Sequence, residues 1–313
     1  MRYDRAMAKK LPLLVTTDLQ QDAASVQRTK AVNHMSLALA RRLGTSVEVL
    51  YVANIGEIAQ IPQAATVILD SQKEQLKNLV NPFEGITKAR FLVGHPVPAI
   101  AKVTAQKGKF EVLVQGTSGK TGLTRAFLGS VAEEVLRHSR VPVMTVGPEA
   151  QAQASRSKLA GKDKPVIVVA TQLDKTSAPA EHYAIELAKK LKGRVHAVHH
   201  LQAGLHPLIQ TAMSTPSGSR ELQELIRGLK KDAEKSLTKV AAKAKKARVE
   251  FSSSLVETGI HASEAVIDTA RQEGASLVVM GTHARGLLLG SFLGSTARGV
   301  ILGSPAPVIT VRR

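Results

Sequence analysis

Gly116-Thr117-Ser118-Gly119, nine further residues, then Gly129-Ser130: this stretch returns 165 positions later as Gly281-Thr282-His283-Ala284, nine residues, and Gly294-Ser295. An apolar run precedes each copy, Val112-Leu113-Val114 and Leu277-Val278-Val279. A matching run closes each, Val141-Pro142-Val143-Met144-Thr145-Val146 and Ala306-Pro307-Val308-Ile309-Thr310-Val311. A repeat that keeps one register through loop and flanks is one domain written twice. The 313 residues therefore divide into a first domain over 1–148, a linker over 149–164 and a second domain over 165–313.

Outward from the loop, strand and helix signals alternate. In the first half Leu11 to Thr17 reads as a strand ending at Asp18. A helix over Ala31 to Leu43 stops at Gly44, and β-branched Val47 to Val52 follows. A helix near Val67 to Val80, a strand over Ala89 to Val93, a helix over Ile100 to Gln106 and a strand over Glu111 to Gln115 lead into the loop. A helix over Ser130 to His138 and a strand over Pro142 to Val146 leave it. The second half repeats the order: Pro165 to Ala170, helical Ala180 to Leu191, Val195 to His199, Val249 to Leu255 before Gly259, helical Ala265 to Arg271, then loop and closing strand. Buried strands alternating with helices predict α/β architecture, a mostly parallel sheet covered on both faces. Glu149 to Lys164, rich in Ala, Gln, Ser and Lys without periodicity, reads as the linker. Ser219 to Arg248 is a helical insertion with Lys231, Lys235 and Lys239 on one solvated face and Leu225, Leu229 and Leu237 on another.

Composition narrows the function. The chain has 43 Lys+Arg against 25 Asp+Glu, a net charge of +18 shared between the halves. That field favours anionic partners such as nucleotides, nucleic acid or acidic lipid. Aromatics are only 3% and Trp is absent, which argues against nucleic acid held by base stacking. No apolar run approaches the ~18 residues of a membrane span. Met1 to Lys10 is charged rather than apolar, so a cytoplasmic protein is expected. Without cysteine there are neither disulfides nor thiolate metal sites.

The loop has the build of a phosphate cradle. A strand that ends in glycine, Gly116, lets a ligand lie against bare backbone beyond the carboxyl end of a parallel sheet. Gly119 frees the turn, and Gly129-Ser130 opens a helix whose first amides lack intrahelical partners and attract anions. Each charge-assisted hydrogen bond of this kind contributes on the order of 1.5–3 kcal/mol. Gly119-Lys120-Thr121 imitates the end of a P-loop, but position 114 is Val where that loop needs glycine. No Gly-x-Gly-x-x-Gly follows the first strand.

The run Gly116-x2-Gly119-x9-Gly129-Ser130, followed by Val131-Ala132-Glu133-Glu134-Val135-Leu136-Arg137-His138 and Val141-Pro142-Val143, closely resembles the universal stress protein family. The second copy resembles it through Gly281-Thr282-His283, Gly294-Ser295 and Ser304-Pro305-Ala306-Pro307. The resemblance covers roughly residues 9–148 and 163–313, a tandem arrangement. It implies two five-stranded parallel-sheet domains of the adenine-nucleotide α-hydrolase-like, Rossmann-like type. In the family's ATP-binding branch an Asp after the first strand contacts adenine, matched by Asp18. An apolar residue ending the second strand packs on the base, matched by Val52. The loop holds ribose and phosphates, matched by Gly116, Gly119, Gly129, Ser130 and Val131, with Gly281, Gly294 and Ser295 as second-half counterparts. ATP is the implied ligand, AMP or ADP its alternatives, with Mg²⁺ able to accompany it. The family also pairs domains through the closing strand, here Val141 to Val146 with Ala306 to Val311 inside one chain; a homodimer is the alternative assembly.

The second half departs from this pattern. Thr171, or Gln172 under a one-residue shift, replaces the adenine Asp, His200 replaces the apolar neighbour, and Ala284 replaces the second glycine. If that last backbone must be left-handed, an L-residue costs roughly 1–2 kcal/mol. The first site is therefore expected to bind nucleotide and the second to be degenerate. His196, His199, His200 and His206 read as ordinary histidines, Asp18 alternatively as a turn cap, and Glu133-Glu134 as a solvated face. The expected function is a stress-response regulator. Its nucleotide orders the 119–129 loop and biases a surface that an unidentified protein partner reads. No catalytic residue and no general base can be named, so slow ATP hydrolysis is the most chemistry expected. A nucleotide-activating enzyme would need Ser-Gly-Gly-x-Asp-Ser where this chain has Thr17-Asp18-Leu19-Gln20-Gln21-Asp22. The alternative is a nucleotide-free scaffold for anionic partners, with salt-sensitive binding.

Overall fold

The structure, a computed structural model, describes residues 10–106, 108–117, 128–201, 216–257, 261–282 and 293–312. Gly119, Ala284, Gly259 and His206 lie outside the described residues. The first half runs β1 (Leu13–Thr17), α1 (Ala23–Leu43), β2 (Val47–Asn54), α2 (Ile55–Ile58), α3 (Ala65–Val80), β3 (Ile86–Gly94), α4 (Pro96–Thr104), β4 (Leu113–Gly116), α5 (Ser130–His138) and β5 (Val143–Val146). After a short α6 (Pro148–Ala152) the second half follows. It comprises β6 (Val166–Ala170), α7 (Ala178–Leu191), β7 (Arg194–His200), α8 (Pro216–Lys246), β8 (Glu250–Val256), α9 (Ala262–Gln272), β9 (Leu277–Gly281), α10 (Ser295–Gly303) and β10 (Val308–Val311).

The strands form one ten-stranded sheet in the order β3-β2-β1-β4-β5-β10-β9-β6-β7-β8. Within each half every pairing of these strands is parallel; β5 and β10 join antiparallel. Their register pairs Val143 with Thr310, Met144 with Ile309 and Thr145 with Val308. Met144 and Ile309 are 165 positions apart, the repeat spacing, so a pseudo-twofold axis passes through that pair. The closing strands thus bury each other's edges and remove two aggregation-prone rims. One face of the sheet packs a core running across the junction, from Val15 and Val114 through Met144 and Ile309 to Val279 and Val169. The opposite face packs Leu14, Leu113, Val143, Val308 and Val278 beneath α4, α5, α9 and α10.

The structure corrects the expectations for Glu133 and for the face of α8, and adds order to the connecting segment. The segment after β5 forms α6 and a 3-10 turn at Ala154–Arg156, and buries Ala150, Ala154 and Leu159. Arg42 of α1 donates to the carbonyls of Leu159 (2.7 Å), Gly161 (2.6 Å) and Asp163 (2.9 Å), so one guanidinium pins the crossing. Glu133 is not a solvated residue. At 17% exposure it bonds Arg137 at 2.8 Å and Arg298 of α10 at 2.5 Å. Glu133 and Arg298 are again 165 apart, so the pseudo-twofold brings equivalent positions together with opposite charge. On α8, Leu225 is exposed; the buried stripe is Ala233, Leu237, Val240 and Ala244, while Lys231, Lys235 and Lys239 stay in solvent as expected.

Candidate nucleotide site

In each half the strand order reverses between the first and fourth strands, β1 and β4 or β6 and β9. The crevice beyond the carboxyl ends at such a reversal is where open α/β sheets take ligands. The registers fix which residues correspond there. Leu13 pairs with Val47 and Ile167 with Val195, each partner lying three residues after a left-handed helix end, Gly44 or Lys192. Val15 pairs with Val114 and Val169 with Val279. Thr17 therefore corresponds to Thr171, Asp18 to Gln172 and Leu19 to Leu173. Leu19 and Leu173 share the uncommon left-handed backbone, φ 53° and 58°. Of Thr171 and Gln172, the residue that corresponds to Asp18 is therefore Gln172.

Asp18 leaves β1 at the reversal. Its Oδ1 accepts the Gln20 N–H at 3.3 Å, the local turn contact expected of an Asp there. The helix cap is Asp22 instead, accepting the Ser25 N–H at 3.0 Å. Asp18 Oδ2 accepts from Arg28 Nη2 at 2.5 Å, a partner the sequence did not reveal. Gly116 ends β4 beside it. A Cβ there would meet Arg28 Cγ and Val32 Cγ2, both at 3.0 Å, so this glycine also admits α1. Val52 is buried near the end of β2. Gly129 has φ 87°, a backbone that requires glycine, and among the described residues no side chain caps the start of α5. Ser130 and Val131 are exposed on that first turn. Two buried polar atoms close to this end, Thr17 Oγ1 and Asn33 Nδ2, have no hydrogen-bond partner among the described residues.

The second half has the same frame with different chemistry. Matching the helix ends makes Asn33 the counterpart of Glu181. There Thr171 Oγ1 donates to Glu181 Oε1 at 2.6 Å, and Lys243 of α8 stands 3.4 Å from Oε2. Glu181 is 3% exposed, so a buried carboxylate is compensated within the protein. His199 Nδ1 donates to the Thr171 carbonyl at 2.9 Å. Gln172 Oε1 is buried without a partner among the described residues, leaving an amide where the first half has a carboxylate. A Cβ at Gly281 would meet, among the described residues, only the Thr176 carbonyl oxygen at 3.8 Å, an ordinary contact. Gly294 has φ −59°, open to any residue, and Ser295 is exposed.

Among the described residues no group of three His, Asp or Glu could hold a metal ion, and His196 on β7 has other partners. Its ring lies 2.8 Å from Ser252 Oγ and 3.0 Å from Ser254 Oγ, with Glu273 3.6 Å away. Burial, opposed by Glu273 and reinforced by Arg194, lowers its pKa below 6.5. The unfolded chain then takes the proton first, so this contribution to stability is full above pH 6.5 and is lost as pH falls below it. Thermal midpoints at about pH 7.5 and 5.5 are expected to differ more in the wild type than in His196→Gln; equal differences would contradict this.

Comparison with known proteins places this geometry. The model of the universal stress protein family matches residues 12–147 and 165–312. A universal stress protein of Methanocaldococcus jannaschii is 32% identical over 37% of this chain and 73% of its own. One of Mycobacterium tuberculosis is 24% identical over 80% and 74%. The crystal structure of a universal stress protein from Archaeoglobus fulgidus covers 98% of this chain and 100% of its own, with TM-score 0.60 and 22% identity, a likeness of fold. Among the described residues no helix is long and apolar enough to cross a membrane.

Proposed function

Because this chain belongs to the universal stress protein family, we propose that it is a cytoplasmic, ATP-binding regulator of the stress response. Its first domain (1–148) holds the nucleotide, and its second (165–313), beyond the 149–164 connection, carries a degenerate site. Asp18 faces the adenine, Val52 packs beside it, and Gly116, Gly119, Gly129, Ser130 and Val131 serve ribose and phosphates. AMP or ADP would use the same base contacts, and Mg²⁺ would enter with the phosphates.

The contrast between the two halves supports this reading best. At equivalent ends of the sheet the first half offers a carboxylate, a helix start after a left-handed glycine where the second half has an extended one, and orphaned Thr17 and Asn33 side chains. The second half engages its corresponding Thr171 and Glu181 with each other and with Lys243. Orphaned buried groups each cost about 1–3 kcal/mol and fit a place where a ligand supplies partners. Chemistry is not required of this site; regulation would follow from nucleotide occupancy changing the surface that a protein partner meets.

The test is mass spectrometry of nucleotide copurifying with the folded protein, together with thermal unfolding in ATP. At about a hundredfold excess over Kd, ligand adds about 2.7 kcal/mol to stability. A clear upward shift with ATP is expected; no copurifying nucleotide and no shift at millimolar ATP would refute the reading. The exposed Lys231, Lys235 and Lys239 face of α8 favours a second reading, a scaffold for anionic partners. That reading predicts partner binding which weakens steeply with salt and ignores ATP.

A further inference from the structure

Asp18 does not stand alone at the first site. Arg28 reaches back from the early turns of α1, donating from Nη2 to Asp18 Oδ2 at 2.5 Å and to Ser25 Oγ at 2.8 Å. Ser25 in turn donates to Asp22 Oδ2 at 2.5 Å, tying the guanidinium to the helix cap. The Arg28 side chain is 8% exposed and that of Asp18 36%. The Arg28 stem lies across Gly116, with Cγ and Cδ 3.0 and 3.1 Å from where a Cβ would stand. One buried side chain therefore touches both walls of the strand reversal, the acid after β1 and the glycine ending β4. The second half has no counterpart among the described residues. With Gly44 matched to Lys192, α7 begins at the position of Lys30, so the turns that carry Arg28 are missing there.

We propose that Arg28 is a positioning residue that gives the first site its preference for a 6-aminopurine over a 6-oxopurine. This rests on the reading of Asp18 as the group that meets the base. A carboxylate only accepts hydrogen bonds, so it suits the 6-amino group, a donor, and leaves a 6-oxo group facing another acceptor. Such selection needs the acceptor held in one direction. A monodentate clamp from a rigid, desolvated guanidinium does that while leaving other carboxylate lone pairs for the base. Without the clamp a side chain as exposed as Asp18 can turn toward water, and the direction is lost.

The experiment is calorimetric titration of the full chain with ATP and with ITP, which differ at the 6-position and share the triphosphate. Wild type, Arg28→Gln, Arg28→Lys and Asp18→Asn are compared, each checked for an intact thermal transition. Wild type is expected to prefer ATP by about tenfold or more, one good hydrogen bond's worth of discrimination. Arg28→Gln should bring the ratio to about two- or threefold, and Arg28→Lys, whose ammonium can make the same single charge-assisted bond to Asp18, should retain most of it. Asp18→Asn, whose amide can also donate, should move the preference toward ITP. A folded Arg28→Gln with the wild-type ratio, or with tighter ATP binding, overturns the inference and leaves nucleotide binding standing. If Arg28→Gln fails to fold, a wild-type ratio of about one, or an Arg28→Lys ratio as low as about two, overturns it instead. A wild type that binds neither nucleotide refutes the functional reading itself.

Discussion

Gly129→Ala is expected to weaken ATP binding by about tenfold or more, whereas Gly294→Ala should leave it unchanged. The two glycines occupy the same place in the repeat, yet Gly129 has φ 87° and Gly294 φ −59°. An L-residue in the left-handed region costs about 1–2 kcal/mol, and the chain can relieve that strain only by moving the peptide that starts α5. Moving it misaims the first amides of the helix, the donors assigned to phosphate. A loss of about 1.4 kcal/mol in binding is already tenfold. Gly294 carries no such strain and belongs to the site assigned as degenerate. Titration of both variants with ATP checks the contrast; loss of binding on changing Gly294 alone would reverse the assignment of the two halves.

Met144→Lys should destabilise the whole molecule. Met144 has no exposed surface and pairs directly with Ile309, also fully buried, at the pseudo-twofold axis. An ammonium at that point would sit in a core of apolar side chains, and a buried charge left uncompensated costs about 3–5 kcal/mol. For a chain of this size the midpoint should fall by roughly 10 °C. Met144→Leu, which keeps volume and polarity, should cost less than about 1.5 kcal/mol. Because the core crosses the junction, both halves should lose stability together in thermal unfolding. A Met144→Lys protein that melts like the wild type would contradict the structural role given to the β5–β10 pairing.

The repeat made the alternation of strands and helices and the pairing of the two closing strands legible, because a shared 165-residue spacing ties each element near the loop to a counterpart. Helix α5 falls on Ser130–His138 as its glycine–serine start predicts. The start of α1 was not legible. Residues 23–30 carry one large apolar side chain, Val26, so no periodicity marks them, although Asp22 caps them. Arg28 went unseen for that reason. The Glu133–Arg298 pair could not be read at all without the register of two strands far apart in sequence. The order within the linker was not legible for a different cause: its alanines look featureless until α1 and Arg42 supply a surface to fold on. The difference between Asp18 and Gln172 was visible in outline, but choosing Gln172 over Thr171 needed the paired strands.

The most direct test of a single competent pocket is the stoichiometry of ATP binding to the full chain by isothermal titration calorimetry. One molecule per chain, abolished or greatly weakened by Gly129→Ala, is the predicted result. Two equivalent molecules per chain, or none at millimolar nucleotide, would contradict it.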